Sequence, residues 1–255
     1  MTTVNANGVL LEELTWLEAE AVLTADAVVV IPLGAAAKEH GPHLKLNNDW
    51  RIAEYLKQIV LDRCQAVVAP TVAHFFYPAF VEYPGSINVS LDTSTNLIMD
   101  ICTSLSRFGP KRFYVLNTGL STIRALRPAA ERLTQMGILL RYTDYSAIVD
   151  AAAAPLKEQE GGTHADEIET SMMLHIAPDG VQMEKAVKDY DAGGTGPLSR
   201  IRQEGRTYSP TGVFGDATLA TIEKGRRVVE SLVVGILKDI DELGRAQLPA
   251  TSIDG

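Results

Sequence analysis

Four side chains that can bind a metal or transfer a proton lie within eleven residues of this 255-residue sequence: Glu39, His40, His43 and Asp49. Carboxylate oxygens and imidazole nitrogens are the usual protein ligands of Zn²⁺, Mn²⁺ and Fe²⁺. A turn at Gly41-Pro42 could bring these side chains round to one point. The spacing therefore indicates a metal site, although a polar surface loop whose histidines contact water would have the same composition.

A second group of candidate residues accompanies a helix start signal. Thr163 and Asp166 have the spacing of a capping box, which predicts that a helix begins after Thr163. His164 would then be the first helical residue, where the helix dipole lowers the pKa of an imidazole and keeps it neutral, as a general base must be. The alternative is a solvent-exposed histidine in a capping region. Glu167 on the same helix is expected to face solvent.

Glu169 belongs to the apolar face of this predicted helix. Ala165, Met172, Met173 and Ile176 recur on that face at spacings of three, four and seven. A carboxylate is costly to bury unless it is paired, hydrogen-bonded or bound to a metal, so Glu169 is a candidate ligand or catalytic group. A structural salt bridge is the alternative.

The elements around these residues alternate between short β-branched runs and longer helical patterns. Strands are predicted at 27–34, 65–72, 112–117 and 138–145, and helices at 50–64, 94–109 and 122–137. This alternation is typical of a mostly parallel sheet covered by helices on both faces. Ligands of such sheets bind beyond the carboxyl ends of the strands. The cluster around Glu39 and the turn at 117–122 both follow strands, so they should open onto the same edge.

The last third of the chain contains a long helix and an irregular segment. The helix is predicted to begin near Asp216, a good N-cap. Residues 178–215 are too long and too rich in glycine and proline for a simple connection, and such segments are often lids or subunit contacts. They are expected to line a pocket together with the aromatic stretch at 74–83. No linker is evident, so residues 1–255 are predicted to form a single domain.

Composition limits the class of protein. A net charge of −9 and a pI near 5.1 argue against a nucleic-acid partner. No apolar stretch approaches the roughly 20 residues that a membrane helix needs. Residues 1–16 lack the basic and apolar regions of a signal peptide. Cys64 and Cys102 match no zinc or redox spacing. A cytoplasmic protein that acts on a small molecule, without a membrane or nucleic-acid partner, is expected.

Four motifs resemble those of the creatininase (creatinine amidohydrolase) family. In chain order they are PLGAAAKEHGPHLKLNND, YPGSINVSL, THADEIETSMML and GVFGDATLATIEKG, and the matches extend from about residue 8 to residue 243. The resemblance implies a three-layer α/β/α fold with a mostly parallel central sheet and a homo-oligomeric assembly. It also implies a two-metal site that hydrolyses C–N bonds in cyclic or linear amides.

The resemblance also assigns roles to individual residues. The implied metal ligands are His40 and Asp49, with Asp49 bridging the two ions, and Glu169 matches a helix carboxylate close to the metals. Glu39 and Glu169 are predicted to complete the ligand set. The implied catalytic residues are His164, which would move protons, and Glu169. The predicted substrate-binding residues are Lys38, His43 and Ser121.

Two positions depart from the family pattern. Lys38 occupies the position of the family's first glutamate, and Glu39 is displaced by one residue. In the turn at 117–122, Gly119 replaces a histidine ligand, and Ser121 falls where some members have a glutamate ligand. The sequence therefore predicts a divergent amidohydrolase with one ion of Zn, Mn or Fe, or two held weakly. The alternatives are a metal-free member that binds a small ligand or does other chemistry, with Lys38 replacing the missing cation, and a structural or regulatory subunit without a site.

Overall fold

A five-stranded parallel sheet forms the centre of the protein, for which a computed structural model describes residues 8–251. In chain order the strands are β1 (Val9–Leu10), β2 (Val28–Leu33), β3 (Val67–Val68), β4 (Arg112–Asn117) and β5 (Leu139–Tyr142). Their order across the sheet is β1-β3-β2-β4-β5, and β2 and β4 pair along their whole length. The prediction about a signal peptide concerned residues 1–16, and the first seven of these lie outside the described residues.

Helices cover both faces of this sheet. They are α1 (Trp16–Val22), α2 (Asn48–Arg63), α3 (Leu91–Ser106), α4 (Ile123–Gln135), α5 (Tyr145–Ala153), α6 (Glu167–Ile176) and α7 (Ile222–Arg245). Alternate residues of a strand point to opposite faces, so Val28 and Val30 pack with α2, α6 and α7, whereas Val29 and Ile31 pack with α3 and α4. The predicted α/β fold with a mostly parallel sheet is confirmed.

Two predicted helix starts are wrong. The N-cap of α6 is Asp166, whose carboxylate accepts hydrogen bonds from the N–H groups of Ile168 and Glu169 at 3.0 and 2.9 Å. His164 therefore lies outside the helix, and the helix-dipole argument does not apply to it. The last helix, α7, begins six residues beyond Asp216, after the N-cap Thr221. Asp216 instead caps a short 3₁₀ turn.

Glu167 is completely buried, so the prediction that it faces solvent is also wrong. It accepts hydrogen bonds from the backbone N–H groups of Glu158 and Gln159, and Lys224 Nζ of α7 lies 2.5 Å from its Oε1. Helices α6 and α7 approach closely because residue 225 is glycine. A Cβ at Gly225 would lie 1.8 Å from the carbonyl oxygen of Ser171, so no larger residue fits. This contact fixes the helix that presents Glu169.

The irregular segment at 178–215 contains short strands and 3₁₀ turns. The strands after β5 are β6 (Lys188–Asp189), β7 (Leu198–Ser199), β8 (Thr207–Tyr208) and β9 (Gly215–Asp216). β6 pairs antiparallel with β9, and β7 pairs parallel with β8. Within residues 8–251, no helix is both long and apolar enough to cross a membrane.

Candidate active site

Buried polar side chains fill the loop between β2 and α2. Lys38, Glu39, His40, His43 and Asp49 are each at most 6% exposed. The loop returns tightly because Gly34 follows β2: a Cβ there would lie 2.4 Å from the carbonyl oxygen of Asp49. Glycine therefore lets the first turn of α2 rest against the end of the strand. The carboxylate of Asp49 is thus held at the carboxyl edge of the sheet, where ligands of this fold class bind.

The Nε2 atom of His40 faces two carboxylates and requires a positive charge. Its Nδ1 lies 2.9 Å from the carbonyl oxygen of Lys38, which can only accept, so Nδ1 carries a proton. Its Nε2 lies 2.8 Å from Asp49 Oδ1 and 3.4 Å from Glu169 Oε1. Burial alone would lower the pKa of His40, but the two carboxylates outweigh burial and raise it to about 9. A proton or a metal ion must therefore lie between Nε2 and these oxygens.

Lys38 binds the other oxygen of Asp49. The distance from Lys38 Nζ to Asp49 Oδ2 is 2.7 Å, and both side chains are buried. Burial opposes ionisation of both groups, but their attraction prevails: the pKa of Asp49 is lowered and that of Lys38 is raised. The ammonium also lies 4.8 Å from the centre of the Phe80 ring, a favourable cation–π position. Asp49 therefore contacts both Nε2 of His40 and the ammonium of Lys38.

His164 is oriented by Glu39. Its Nε2 lies 3.1 Å from the Glu39 carbonyl oxygen and 3.2 Å from Glu39 Oε2, so Nε2 carries the proton and donates it. Its Nδ1 faces Glu169 Oε2 at 3.8 Å. The Glu39 carboxylate also accepts a hydrogen bond from the N–H of Gly41. Glu39 therefore contacts the back of the imidazole, and its predicted role as a metal ligand stays a prediction.

Glu169 completes the cluster from the first turn of α6. Its carboxylate accepts hydrogen bonds from Ala165 N–H at 2.7 Å and Asn48 Nδ2 at 3.1 Å. Ala165 has a φ of 49°, which a non-glycine residue adopts at a cost, and such strain is concentrated at functional sites. Burial would raise the pKa of Glu169, but His40, His164 and Lys38 hold it well below its usual range. Glu169 is therefore an ionised acceptor in this cluster.

His40, His164 and Glu169 together form a ligand set that fits one divalent cation. Each offers one ligand atom, and these atoms all lie within 4.8 Å of one another. Two imidazoles and a carboxylate suit Zn²⁺, Mn²⁺ or Fe²⁺. The positive charge that His40 Nε2 requires is an independent reason to place a cation here.

The turn after β4 lies beside this cluster, but its polar side chains bond to one another or to the backbone. Asn117 Nδ2 donates to the Gly119 carbonyl oxygen at 2.8 Å, and Thr122 Oγ1 donates to Asn117 Oδ1 at 2.7 Å. Ser121 Oγ donates to the Phe76 carbonyl oxygen at 2.9 Å. The turn adds no member to the ligand set of His40, His164 and Glu169.

A cavity of about 290 Å³ opens above the cluster. Lys38, His164 and Glu169 line it. Apolar and aromatic residues form much of the rest of its wall, among them Tyr77, Phe80, Leu120, Met172, Leu198 and Phe214. The predicted contributions of the aromatic stretch at 74–83 and of the segment at 178–215 to the pocket wall are confirmed.

Two of the three predicted substrate-binding residues, Lys38 and Ser121, border the cavity. His43 is not among the lining residues: its Nε2 bonds Thr170 Oγ1 at 2.8 Å, and burial lowers its pKa to about 4. Sequence reasoning did not single out Tyr77 as a site residue. Its position in an aromatic stretch was the available signal.

Comparison with known proteins decides the family. The family model described as creatinine amidohydrolase matches residues 12–240. The chain belongs to the creatininase family. It is 30% identical over 219 residues to the mycofactocin precursor peptide peptidase of Mycolicibacterium smegmatis, covering 82% of each chain. It is 28% identical over 259 residues to the creatinine amidohydrolase of Pseudomonas putida, covering 93% of this chain and 98% of that protein.

Solved structures agree with this family membership. A crystal structure of creatinine amidohydrolase has a TM-score of 0.78 and 27% identity, covering 95% of this chain and 100% of that chain. A manganese form of creatininase has a TM-score of 0.76 and 27% identity, covering 92% and 98%. A zinc–zinc form of a creatininase variant has the same TM-score and identity. The resemblance recognised in the sequence is confirmed.

Proposed function

We propose that this creatininase-family protein is a metal-dependent hydrolase that cleaves a C–N bond of a small cyclic or linear amide with one divalent cation. The observation that carries the proposal is the cluster of His40, His164 and Glu169, whose ligand atoms lie within 4.8 Å of one another. The amidohydrolase and peptidase relatives support the reaction class, and the manganese and zinc forms of creatininase support the metal.

The proposed cation would be held by this cluster, with Asp49 beside it. When bound, a divalent cation lowers the pKa of water enough to make it a nucleophile near neutral pH and polarises a carbonyl group. The burial of Lys38, His40 and Asp49 strengthens the electrostatic interactions between them. A volume of about 290 Å³ suits a small amide.

His164 presents Nδ1 to the cluster because Glu39 binds the other nitrogen. This nitrogen can complete the ligand set, or it can take a proton from the attacking water and return it to the leaving nitrogen. His164→Gln separates the two roles. Loss of the metal assigns the ligand role, whereas retention of the metal with loss of hydrolysis assigns proton transfer.

The test is an amide hydrolysis screen with and without a chelator. Purified protein is incubated with creatinine, other cyclic amides, linear amides and short peptides, and the release of carboxylate and amine is measured. Hydrolysis should be lost after chelation and restored by Zn²⁺ or Mn²⁺. Hydrolysis that is unaffected by chelation, or an absence of hydrolysis across the panel in the metal-loaded protein, contradicts the proposal.

A metal-free binding protein is the second candidate function. The supporting observation is that the Lys38 ammonium and a protonated His40 can neutralise Asp49 and Glu169 without a metal. Such a protein would bind a small ligand equally well before and after chelation. Calorimetric titration of any ligand found in the same panel, with and without chelator, distinguishes the two functions.

A further inference from the structure

Lys38 carries hydrogen-bond donors that remain available to a ligand. Its ammonium has three N–H donors, and Asp49 Oδ2 at 2.7 Å is its one acceptor within hydrogen-bonding distance in the part of the chain that the structure describes. The side chain is buried and borders the cavity next to His164 and Glu169. A desolvated ammonium with unused donors binds an oxygen atom more strongly than one in water.

Tyr77 supplies a second donor on the same cavity wall. The residue is 3% exposed, and its hydroxyl is buried without a hydrogen-bond partner among residues 8–251. Burying an unpartnered hydroxyl destabilises a protein, so its retention needs an explanation. The centre of the Tyr77 ring lies 5.6 Å from Lys38 Nζ. Lys38 and Tyr77 are therefore neighbours in the lining of the cavity.

The surroundings hold both donors in place. The face of Phe80 packs against the ammonium of Lys38, and Asn88 Oδ1 accepts a hydrogen bond of 2.7 Å from the backbone N–H of Tyr77. Gly119 borders the other side of the tyrosine ring, where an added Cβ would lie 3.6 Å from Tyr77 Cε1. The bare backbone at Gly119 leaves this part of the cavity open. Donors fixed in this way before reaction are suited to stabilising charge that develops during it.

We propose that the Lys38 ammonium and the Tyr77 hydroxyl bind the carbonyl oxygen of the scissile amide and stabilise the negative charge that forms on it. This inference rests on the proposed hydrolase function and specifies its substrate-binding groups. The oxygen of water bonds to the carbonyl carbon while the π electron pair moves onto the carbonyl oxygen. The carbonyl then re-forms as the C–N bond breaks, and the leaving nitrogen takes up both protons of the water. The products are a carboxylate and a protonated amine.

The carboxylate product retains the oxygen that these donors bind, so a carboxylate is a suitable probe. We would measure the affinity of 4-fluorobenzoate, whose aryl ring suits the apolar walls, by ¹⁹F NMR titration of the protein as purified. Metal content is determined on the same samples. Lys38→Met should weaken binding about tenfold or more, and Tyr77→Phe should weaken it about threefold to tenfold, as expected for a charged and a neutral donor.

The same two substitutions, made at a different lysine and a different tyrosine of the cavity, serve as controls. Lys157 also borders the cavity, but its Nζ lies 3.9 Å from Asp150 Oδ1, and the Tyr145 hydroxyl already donates to Met172 Sδ. Lys157→Met and Tyr145→Phe should therefore change the affinity less than about threefold. These controls separate the two proposed donors from a general effect of charge or polarity in the cavity.

Thermal unfolding of each variant excludes a purely structural effect. Lys38→Met removes the ion pair between Lys38 and Asp49 and should lower Tm, whereas Tyr77→Phe removes only an unpartnered hydroxyl and should leave Tm unchanged or raise it. If Lys38→Met does not fold, Tyr77→Phe decides: weaker binding at an undiminished Tm supports the inference. Unchanged affinity in Tyr77→Phe, or no binding of 4-fluorobenzoate to the wild type, overturns it.

The same samples distinguish this inference from the proposed function. If the protein contains metal but its affinity for 4-fluorobenzoate is unchanged in Lys38→Met, the proposed subsite is wrong and the proposed hydrolase function stands. Binding that depends on Lys38 in protein without metal supports the subsite and contradicts the metal-dependent hydrolase.

Discussion

The loops that follow β2 and β4 leave the same edge of the sheet, since the two strands pair in parallel, but they use their polar residues differently. The loop after β2 buries charged groups against one another: Lys38 with Asp49, and His40 between Asp49 and Glu169. The turn after β4 satisfies its polar side chains internally, as when Thr122 Oγ1 donates to Asn117 Oδ1.

This difference shows that position at the carboxyl edge of a sheet does not by itself make a site. A catalytic or binding site requires polar groups that can still bind a ligand, and in this protein the loop after β2 provides them. The nitrogen of His40 that faces two carboxylates requires a cation, whereas the turn at 117–122 is closed by its own hydrogen bonds. One loop is therefore expected to control catalysis, and the other to control stability.

The largest expected effect comes from His40→Ala. Removing one of three ligands should abolish metal binding and reduce hydrolysis at least about a hundredfold, because the cation provides several kcal/mol of transition-state stabilisation. Elemental analysis and the amide assay measure the two effects. Thr122→Val is the matched control in the other loop, and it should retain the metal. Loss of the metal in Thr122→Val as well would break the distinction between the loops.

A pH effect on stability isolates His43, the histidine of the loop after β2 that lies outside the proposed ligand set. Burial lowers the pKa of His43 to about 4 from its ordinary 6.5, so the folded protein holds it neutral while the unfolded chain takes up a proton. The contribution of His43 to the free energy of unfolding is therefore fully present above pH 6.5. It is lost as the pH falls towards 4, and the loss is on the order of 2 kcal/mol. Denaturant unfolding of metal-stripped protein at several pH values measures the loss.

His43→Gln provides the control for this effect, because glutamine does not titrate. The slope of stability between pH 6.5 and 4.5 should flatten in this variant. The carboxylates with lowered pKa values lose their contribution mainly at lower pH, and His40, with a pKa near 9, changes its contribution above pH 6.5. An unchanged slope would show that His43 is not the group responsible.

A smaller effect is expected from Glu39→Gln, which keeps the shape of the side chain but weakens its interaction with His164. Partners behind a metal-site histidine typically contribute 10-fold to 100-fold to metal affinity or activity, so a reduction of about that size is expected. Metal affinity by competition with a chromogenic chelator, together with hydrolysis rate, measures it. Complete loss of the metal would instead support the predicted role of Glu39 as a direct ligand.

The smallest expected change in the metal site comes from Gly119→His, which returns an imidazole to the turn. An added Cβ would lie 2.9 Å from Thr122 Cγ2, so the substitution should destabilise the protein by about 1–3 kcal/mol through overpacking. It should not raise the metal content, because Lys38 still occupies Asp49 Oδ2. A gain of a second equivalent of metal would contradict the view that the second position is closed.

Local sequence patterns predicted the parts of the fold that depend on local properties. Short runs that alternate with longer helical patterns identified β2 and β4, and four motifs in order identified the family. The short elements β1, α1 and α5 were missed because two to nine residues carry too little periodicity. The capping signal was misplaced because Thr163 and Asp166 are both good N-caps, and only the structure places the helix start after Asp166.

The site was harder to predict because its geometry depends on contacts between distant residues. One alternative from the sequence was that Lys38 replaces a cation, but the sequence did not show that the ammonium binds Asp49. The burial of Glu167 depends on Lys224, which is 57 residues away. The contact between His43, a predicted substrate-binding residue, and Thr170 joins positions that are 127 residues apart. Residue types predicted the chemistry, whereas tertiary contacts selected which residues can perform it.

The most direct test of the single-cation site is the metal content of the wild-type protein, purified without chelator or affinity tag. It would be measured by elemental analysis beside a His40→Ala/Asp49→Ala control. We expect about one equivalent of Zn, Mn or Fe per chain, lost in the control. Two equivalents would contradict the closed second position, and no metal above the control would contradict the hydrolase itself.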